Sequence, residues 1–346
     1  MRALQYQTIG EAPVLVEVPK PEPGPGEILL KVSAAGACHS DSFVMDLPTE
    51  AYELAGFGLP LTLGHEGAGV VEAVGEGVTG VEIGAAYAVY GAWGCGRCKV
   101  CATGAENYCP HAAELGIKPP GLGHPGAMAE YMIVDDARHL VPLHDLDPVQ
   151  FVSLTDAGLT PYHAVAHASE KLVPGSVAVV IGIGGLGHVA TQILAATTPA
   201  TIVAVDLNPD KAEFAQSMGA DHFFVSDAEA AAKIREIAPT GAEVVFDFVG
   251  AQATVELANV AVAMNGEIEI VGIAGGALPV GMTTIPYGVR VRAPYWGSIS
   301  ELIEVYELAR AGKITVEVET FSLDDGPEAY RRLHDGTLRG RAVIVP

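Results

Sequence analysis

Val177-Ala178-Val179-Val180-Ile181-Gly182-Ile183-Gly184-Gly185-Leu186-Gly187 decides the fold of the second half of this chain. A β-favouring apolar run enters G-x-G-x-x-G, and an apolar helix is expected from Leu186 onward. In a chain with 41 glycines among 346 residues the motif alone would mean little. Its context gives it weight: Asp206 ends the next strand candidate, nineteen residues after Gly187. Gly182, Gly184, Gly185 and Gly187, with Leu186, let backbone N–H groups approach a pyrophosphate at a helix N-terminus, where the dipole favours anions. Asp206 can accept hydrogen bonds from both ribose hydroxyls of an adenosine and repels a 2′-phosphate, which favours NAD over NADP. Lys211 either flanks that adenosine or is an ordinary solvated lysine.

Working outward, strands and helices alternate. Strands are expected at Thr201 to Val205, His222 to Val225, Val244 to Phe248 and Glu267 to Ile273. Helices are expected at Pro209 to Met218 and Ala228 to Ile237. This is the pattern of a doubly wound parallel sheet. The first 150 residues read differently. Ile28 to Val32 and Gly69 to Val74 are short strands, and Pro19 to Gly26, with four prolines, is a connector. Beyond Pro294 a helix from Ser300 to Ala311 precedes extended segments.

The charge balance sets limits on partners. Forty-two acidic and 19 basic residues leave −23, so phosphate backbones and anionic lipid surfaces are repelled. No nucleic-acid or membrane partner is expected. The apolar stretch from Val177 to Ala196 is interrupted by glycines, His188, Thr191 and Gln192, so it is not a membrane span.

Five cysteines are present. Cys95-x2-Cys98-x2-Cys101-x7-Cys109 places four thiols within fifteen residues, a spacing that wraps one tetrahedral Zn²⁺. Four thiolates leave no open position, so this zinc is structural, and Arg97 and Lys99 offset its net −2. An iron–sulfur centre and metal-free thiols are the competing readings. Clustered thiols of this kind, behind an N-terminus without a secretory run, indicate a reducing cytoplasm.

Cys38-His39-Ser40-Asp41, Gly64-His65-Glu66-Gly67 and Thr155-Asp156-Ala157-Gly158-Leu159-Thr160 complete the set. With the glycine turn and the four cysteines, their order and spacing resemble the zinc-dependent alcohol dehydrogenases of the medium-chain dehydrogenase/reductase superfamily. The likeness runs over essentially the whole length, and is greatest to bacterial NAD-dependent secondary alcohol dehydrogenases that accept bulky or aromatic alcohols and ketones. The resemblance implies an α/β enzyme with a GroES-like β-rich catalytic domain and a Rossmann cofactor domain. Residues 1–154 and 293–346 would form the first and 155–292 the second, with the active site in the cleft between them.

The resemblance also implies residue roles. Cys38, His65 and Asp156 match the three catalytic zinc ligands, with aspartate where many members carry cysteine. One thiolate, one carboxylate and a neutral imidazole balance Zn²⁺ and leave one position open. Glu66 matches a supporting or transient ligand carboxylate. Zinc acts as a Lewis acid, and it can lower the pKa of bound water to about 7. Ser40 matches the first proton-relay hydroxyl. Phe43 stands where several members have a relay histidine, so the resemblance leaves the proton route beyond Ser40 open, with the cofactor ribose and water as one path. His39 and Arg341 match pyrophosphate contacts, and Thr160 packs beside the nicotinamide. Phe43, Phe57, Leu122 and Trp296 are the pocket-wall candidates, with Leu47 to Gly58 as a rim loop. Gly84-Ala85 lacks the acidic residue common after that glycine, which bears on a turn and not on chemistry.

Two zinc ions and NAD are therefore expected, with a small-molecule alcohol or ketone as substrate. A homodimer or homotetramer is expected, with Val289 to Arg292 as a candidate sheet edge. A polyol or other primary alcohol or aldehyde dehydrogenase of the same superfamily is the nearer alternative. A non-catalytic NAD-binding protein is the more distant one.

Overall fold

The computed structural model describes residues 1–54 and 56–346. Two compact units result: residues 1–156, 298–310 and 316–346 form one, and residues 157–297 with 311–315 form the other. Among the described residues, no helix is long and apolar enough to cross a membrane.

The first unit is built on antiparallel strands, apart from the parallel pair Val318–Ser322 and Arg341–Val345. Its main sheet runs in the order Val318–Ser322, Arg341–Val345, Ile28–Ala37, Glu66–Val74, Ala86–Val89, Leu140–Pro142, and Tyr131–Val134 pairs with the start of Ile28–Ala37. A smaller sheet joins Val14–Glu17, Arg2–Tyr6 and Leu61–Thr62. Leu4, Tyr6, Ile28, Leu30, Val71, Met128 and Ile344 fill the shared core.

Two of these strands run further than their apolar cores suggested. Ile28–Ala37 continues through Ala34, Ala35 and Gly36, and Glu66–Val74 begins with Glu66, Gly67, Ala68 and Gly69. Small residues are poor strand formers alone. Here close approach requires them. A Cβ on Gly69 would lie 2.4 Å from the Lys31 carbonyl oxygen, and one on Gly36 would lie 1.7 Å from Glu66 Oε2. Tertiary packing overrides propensity at these strand ends.

The second unit is a six-stranded sheet in which every recorded pairing is parallel. Its order is His222–Val225, Thr201–Asp206, Val177–Ile181, Ala242–Asp247, Val262–Ile270, Arg290–Arg292. Val177–Ile181 lies at the point where strand order reverses, and the glycine turn leaves its carboxyl end, the usual ligand side of such sheets. Val179, Val203, Val205, Ile234, Val245 and Ile268 form its core.

Several expected elements are adjusted. The segment expected as one helix from Pro209 to Met218 divides into a 3₁₀ turn, Pro209–Lys211, and an α-helix, Ala212–Ser217. Asn208 caps the turn by accepting from the Asp210 N–H, and Pro209 sits at its first position. The strand expected at Glu267 to Ile273 starts earlier, at Val262, and ends at Ile270. Leu47 to Gly58, read as a rim loop, contains the helix Thr49–Leu54, and its residue Ala55 lies outside the described residues.

Candidate active site

Cys38 follows strand Ile28–Ala37 and forms the N-cap of helix His39–Asp46. The helix returns a hydrogen bond: Asp41 Oδ2 accepts the Cys38 N–H at 3.0 Å. Gly36 pairs with Glu66 across the sheet, which brings His65 to the neighbouring strand end. Ala342 pairs with Ala37, so Arg341 enters its strand beside Cys38. Asp156 arrives from the 3₁₀ turn Val152–Thr155 and donates its N–H to Ser153 O at 3.2 Å.

Four side chains converge there. Cys38, His65, Glu66 and Asp156 are all buried, and their ligating atoms lie within 4.8 Å of one another. Cys38 Sγ is 3.4 Å from Asp156 Oδ2, and His65 Nε2 is 3.6 Å from the same oxygen. Zinc bond lengths of about 2.0–2.3 Å in a tetrahedron put donor atoms roughly 3.3–3.8 Å apart, so this set fits the ion. Without a cation, a buried thiolate and carboxylate at that distance would repel each other.

The supporting shell orients the ring. His65 Nδ1 is 2.9 Å from Asp41 Oδ1, so it donates there and leaves Nε2 facing Cys38 and Asp156. Asp41 is fully buried and was not among the expected site residues; its carboxylate three residues beyond the ligand cysteine was the available signal. Glu66 Oε1 accepts from the Arg341 guanidinium, and Arg341 Nη1 lies 3.6 Å from Cys38 Sγ. Burial raises the Glu66 pKa against the opposing pull of Arg341. Burial disfavours the Arg341 charge, but Glu66 and Cys38 more than compensate, so its pKa rises. Arg341, expected at a cofactor pyrophosphate, is 3% exposed and engaged with these two side chains.

Ser40 Oγ lies 3.9 Å from Cys38 Sγ. His39 opens its helix, and desolvation followed by the Arg341 charge lowers its pKa. Phe43, on the same helix, is 50% exposed. Phe57 and Leu122 are half-buried against the core of the first unit, and Phe57 meets Tyr52 edge-on at 5.3 Å. Lys118, absent from the expected set, donates to the Gly56 carbonyl and stands 5.5 Å from the Phe57 ring centroid. Thr160 and Trp296 are buried in the second unit.

In that second unit the motif glycines do different work. Gly182 adopts φ +88° and donates to Val205 O at 2.7 Å. A Cβ on Gly187 would strike the Gly182 carbonyl at 1.8 Å, so the helix Gly187–Thr197 packs closely only with glycine there. Around Gly184 no atom lies within 4 Å of a Cβ position, which leaves the backbone open to a ligand. Gly185 and Leu186 complete the turn, both half-buried. Asp206 Oδ2 accepts the Ile183 N–H at 2.7 Å and faces Lys211 Nζ at 3.2 Å, while Oδ1 accepts from Asn208. The acid thus braces the glycine turn.

The four-cysteine lobe is compact. Cys98 and Cys101 sulfurs are 3.5 Å apart, Cys95 and Cys101 sulfurs 3.8 Å. Cys98 Sγ accepts the Cys101 N–H, and Cys109 Sγ accepts the Cys95 N–H, each at 3.4 Å. All four thiols lie within 4.8 Å of one another and none is in a disulfide. The sulfur spacings again match a tetrahedral zinc.

Comparison with known proteins agrees with this geometry. Residues 24–145 match the alcohol dehydrogenase GroES-like domain, and residues 185–311 match the zinc-binding dehydrogenase family. An NAD-dependent alcohol dehydrogenase of Sulfurisphaera tokodaii is 35% identical over the full length of both chains. A D-arabinose 1-dehydrogenase (NADP(+)) of Saccharolobus solfataricus is 33% identical, covering 100% of this chain and 97% of that one. The crystal structure of an alcohol dehydrogenase from Aeropyrum pernix superposes with a TM-score of 0.92, at 33% identity and full coverage of both chains.

Proposed function

The chain belongs to the zinc-dependent alcohol dehydrogenases of the medium-chain dehydrogenase/reductase superfamily, and on that premise we propose that it interconverts secondary alcohols, bulky or aromatic ones included, with ketones, using NAD. The observation that carries this reading is the convergence of Cys38 Sγ, His65 Nε2 and Asp156 Oδ2 at zinc-ligand separations.

When bound, zinc supplies a Lewis acid for the substrate oxygen and NAD supplies the hydride acceptor. The protein's own groups do the rest. Asp41 holds the His65 tautomer. Arg341 neutralises Glu66, so the charge facing the metal is one thiolate and one carboxylate, which matches the dication. Ser40 is the hydroxyl that takes up the substrate proton. Gly182, Gly184, Gly185, Leu186 and Gly187 receive the pyrophosphate, joined by His39, and Asp206 and Lys211 receive the adenosine ribose. Thr160 stands at the nicotinamide. Cys95, Cys98, Cys101 and Cys109 hold the structural zinc. Residues 155–292 act as the cofactor domain, flanked by catalytic segments 1–154 and 293–346.

Phe43, Phe57, Leu122 and Trp296 supply apolar pocket walls, and this is what favours bulky alcohols over sugars. The D-arabinose dehydrogenase relative keeps polyols and sugars as the second reading. We assign a homodimer or homotetramer joined along Arg290–Arg292, and a reducing cytoplasm suited to five free thiols. A panel of aryl, aliphatic and polyol substrates with NAD and NADP tests the assignment. Higher kcat/KM for aryl secondary alcohols with NAD is expected, and a preference for sugars overturns it.

A further inference from the structure

Behind the four-cysteine lobe lies a cluster of charged side chains that the reaction does not use. Glu106, 8% exposed, sits three residues before Cys109. Its Oε2 accepts the Gly94 N–H at 3.0 Å and lies 3.1 Å from His139 Nε2, while Oε1 accepts Arg138 Nε–H at 3.0 Å. Arg138 also donates from Nη2 to the Gly94 carbonyl at 2.9 Å, so both polar groups of the peptide leading into Cys95 are gripped. A Cβ on Gly96 would lie 3.1 Å from the same guanidinium.

His139 is fully buried. Its Nδ1 is 2.6 Å from Asp135 Oδ1, so each ring nitrogen faces a carboxylate and the ring is held as a doubly donating imidazolium. Trp93 stacks on it, with centroids 5.4 Å apart and planes 8° from parallel. Trp93 Nε1 donates to Tyr90 O, and Tyr90 N–H donates to His139 O. The chain is therefore fixed at Gly94, just before the lobe, and at Glu106, just before its last cysteine, by bonds that involve no sulfur.

A cavity of about 360 Å³ is lined by Cys95, Arg97, Cys98, His111, Glu114 and Leu115. Two of the four sulfur-bearing residues thus face a space large enough for a chelator arm or a second thiol. We infer that Glu106, Arg138 and His139 form a metal-independent brace, and that this lobe releases and regains its zinc through the Cys95–Cys98 face while its fold persists. Glu106 and His139 are positioning residues in this reading, acting on the metal through the backbone of the lobe. The inference rests on the assignment of zinc to these four cysteines.

The test uses the full-length enzyme with cobalt(II) in the lobe, whose four-thiolate coordination gives strong sulfur-to-metal absorption. A chelator is added, and decay of that absorption is followed beside far-UV circular dichroism. In the wild type the absorption should vanish with the dichroism unchanged, and should return in full on adding cobalt. Glu106→Gln removes the charge that Gly94, Arg138 and His139 share. It should speed release about tenfold, in line with loss of an outer-shell partner, and leave refilling incomplete. His139→Phe keeps the stack on Trp93 and should act in the same direction. Glu106→Asp, which retains the charge, should recover most of the wild-type refilling. Loss of dichroism together with the absorption in the wild type overturns the brace alone. So does an unchanged release rate in both Glu106→Gln and His139→Phe. If no four-thiolate absorption forms at all, the zinc assignment itself falls, and the inference with it.

Discussion

The glycine turn and the Cys38 centre are two ways of building a site at a strand end. The turn at 182–187 is made within one strand–turn–helix passage, and Asp206 reaches it from the neighbouring strand. The Cys38 centre draws on residues 38, 65–66, 156 and 341, which only sheet register and a 3₁₀ turn bring together. A site of the first kind is local, and its changes should stay local. A site of the second kind depends on the packing of distant segments, and its changes should reach both chemistry and fold.

Asp156→Asn tests the assembled site most severely. Removing one ligand charge should lower kcat by more than about 100-fold, beyond what loss of an outer-shell partner costs, and should bring metal content from two zinc ions per chain to one. Metal analysis and steady-state kinetics decide; full activity would remove Asp156 from the metal. Asp41→Asn should cost about 10–100-fold, because the His65 ring loses the carboxylate that fixes its tautomer. Thermal unfolding midpoints near the wild-type value would separate this from a general loss of fold.

Gly36→Ala asks whether the assembled site is also a packing constraint. Its new Cβ would meet Glu66 Oε2 at 1.7 Å and Ser153 Oγ at 2.9 Å. A loss of about 1–3 kcal/mol in denaturant unfolding is expected, with reduced zinc retention. In the contiguous site, Asp206→Gly should narrow the NAD preference over NADP by about tenfold, roughly one charge-assisted hydrogen bond, while leaving both metals in place. Unchanged kcat/KM ratios for the two cofactors would break that assignment.

The smallest effect concerns the cofactor unit's edge. Burial, opposed by Arg292 and reinforced by Glu267, pushes the Glu269 carboxyl up to about 8 from 4.5. The folded form then binds the proton more tightly than the unfolded chain. Its contribution is greatest below 4.5 and is lost progressively as pH rises to about 8. Melting temperature should fall across that window, and Glu269→Gln should flatten the slope; an identical slope in the variant would show that another group carries it.

How much of this was legible beforehand follows the same division. The strand before Gly182, the glycine turn that follows it and Asp206 as the next strand's last residue could be read directly, because each is set by residues close in the chain. The cysteine lobe was legible for the same reason. The Cys38 centre could be recognised only through several motifs taken together, since Cys38 and Asp156 are 118 residues apart. Asp41 as the holder of His65 and Arg341 as the partner of Glu66 were missed. For Asp41 the carboxylate three residues past Cys38 was the one local signal, and for the Arg341–Glu66 bond there was none, because sheet register creates it. The helix Thr49–Leu54 was missed because a short segment rich in polar residues carries too weak a periodicity to show.

Composition and local order thus determined that this chain has a parallel sheet with a glycine turn at a strand end, a lobe of four clustered thiols and a net charge of −23. Tertiary structure decided the rest: that strand ends of alanine and glycine continue into the catalytic centre, that Arg341 lies against Glu66 and Cys38, and that Glu106 and His139 stand behind the lobe. The physical reason is common to all three. A buried charge is tolerable only beside its partner, and a backbone can approach another only where side chains are absent. Both conditions are set by neighbours in space, which the order of residues along the chain does not name.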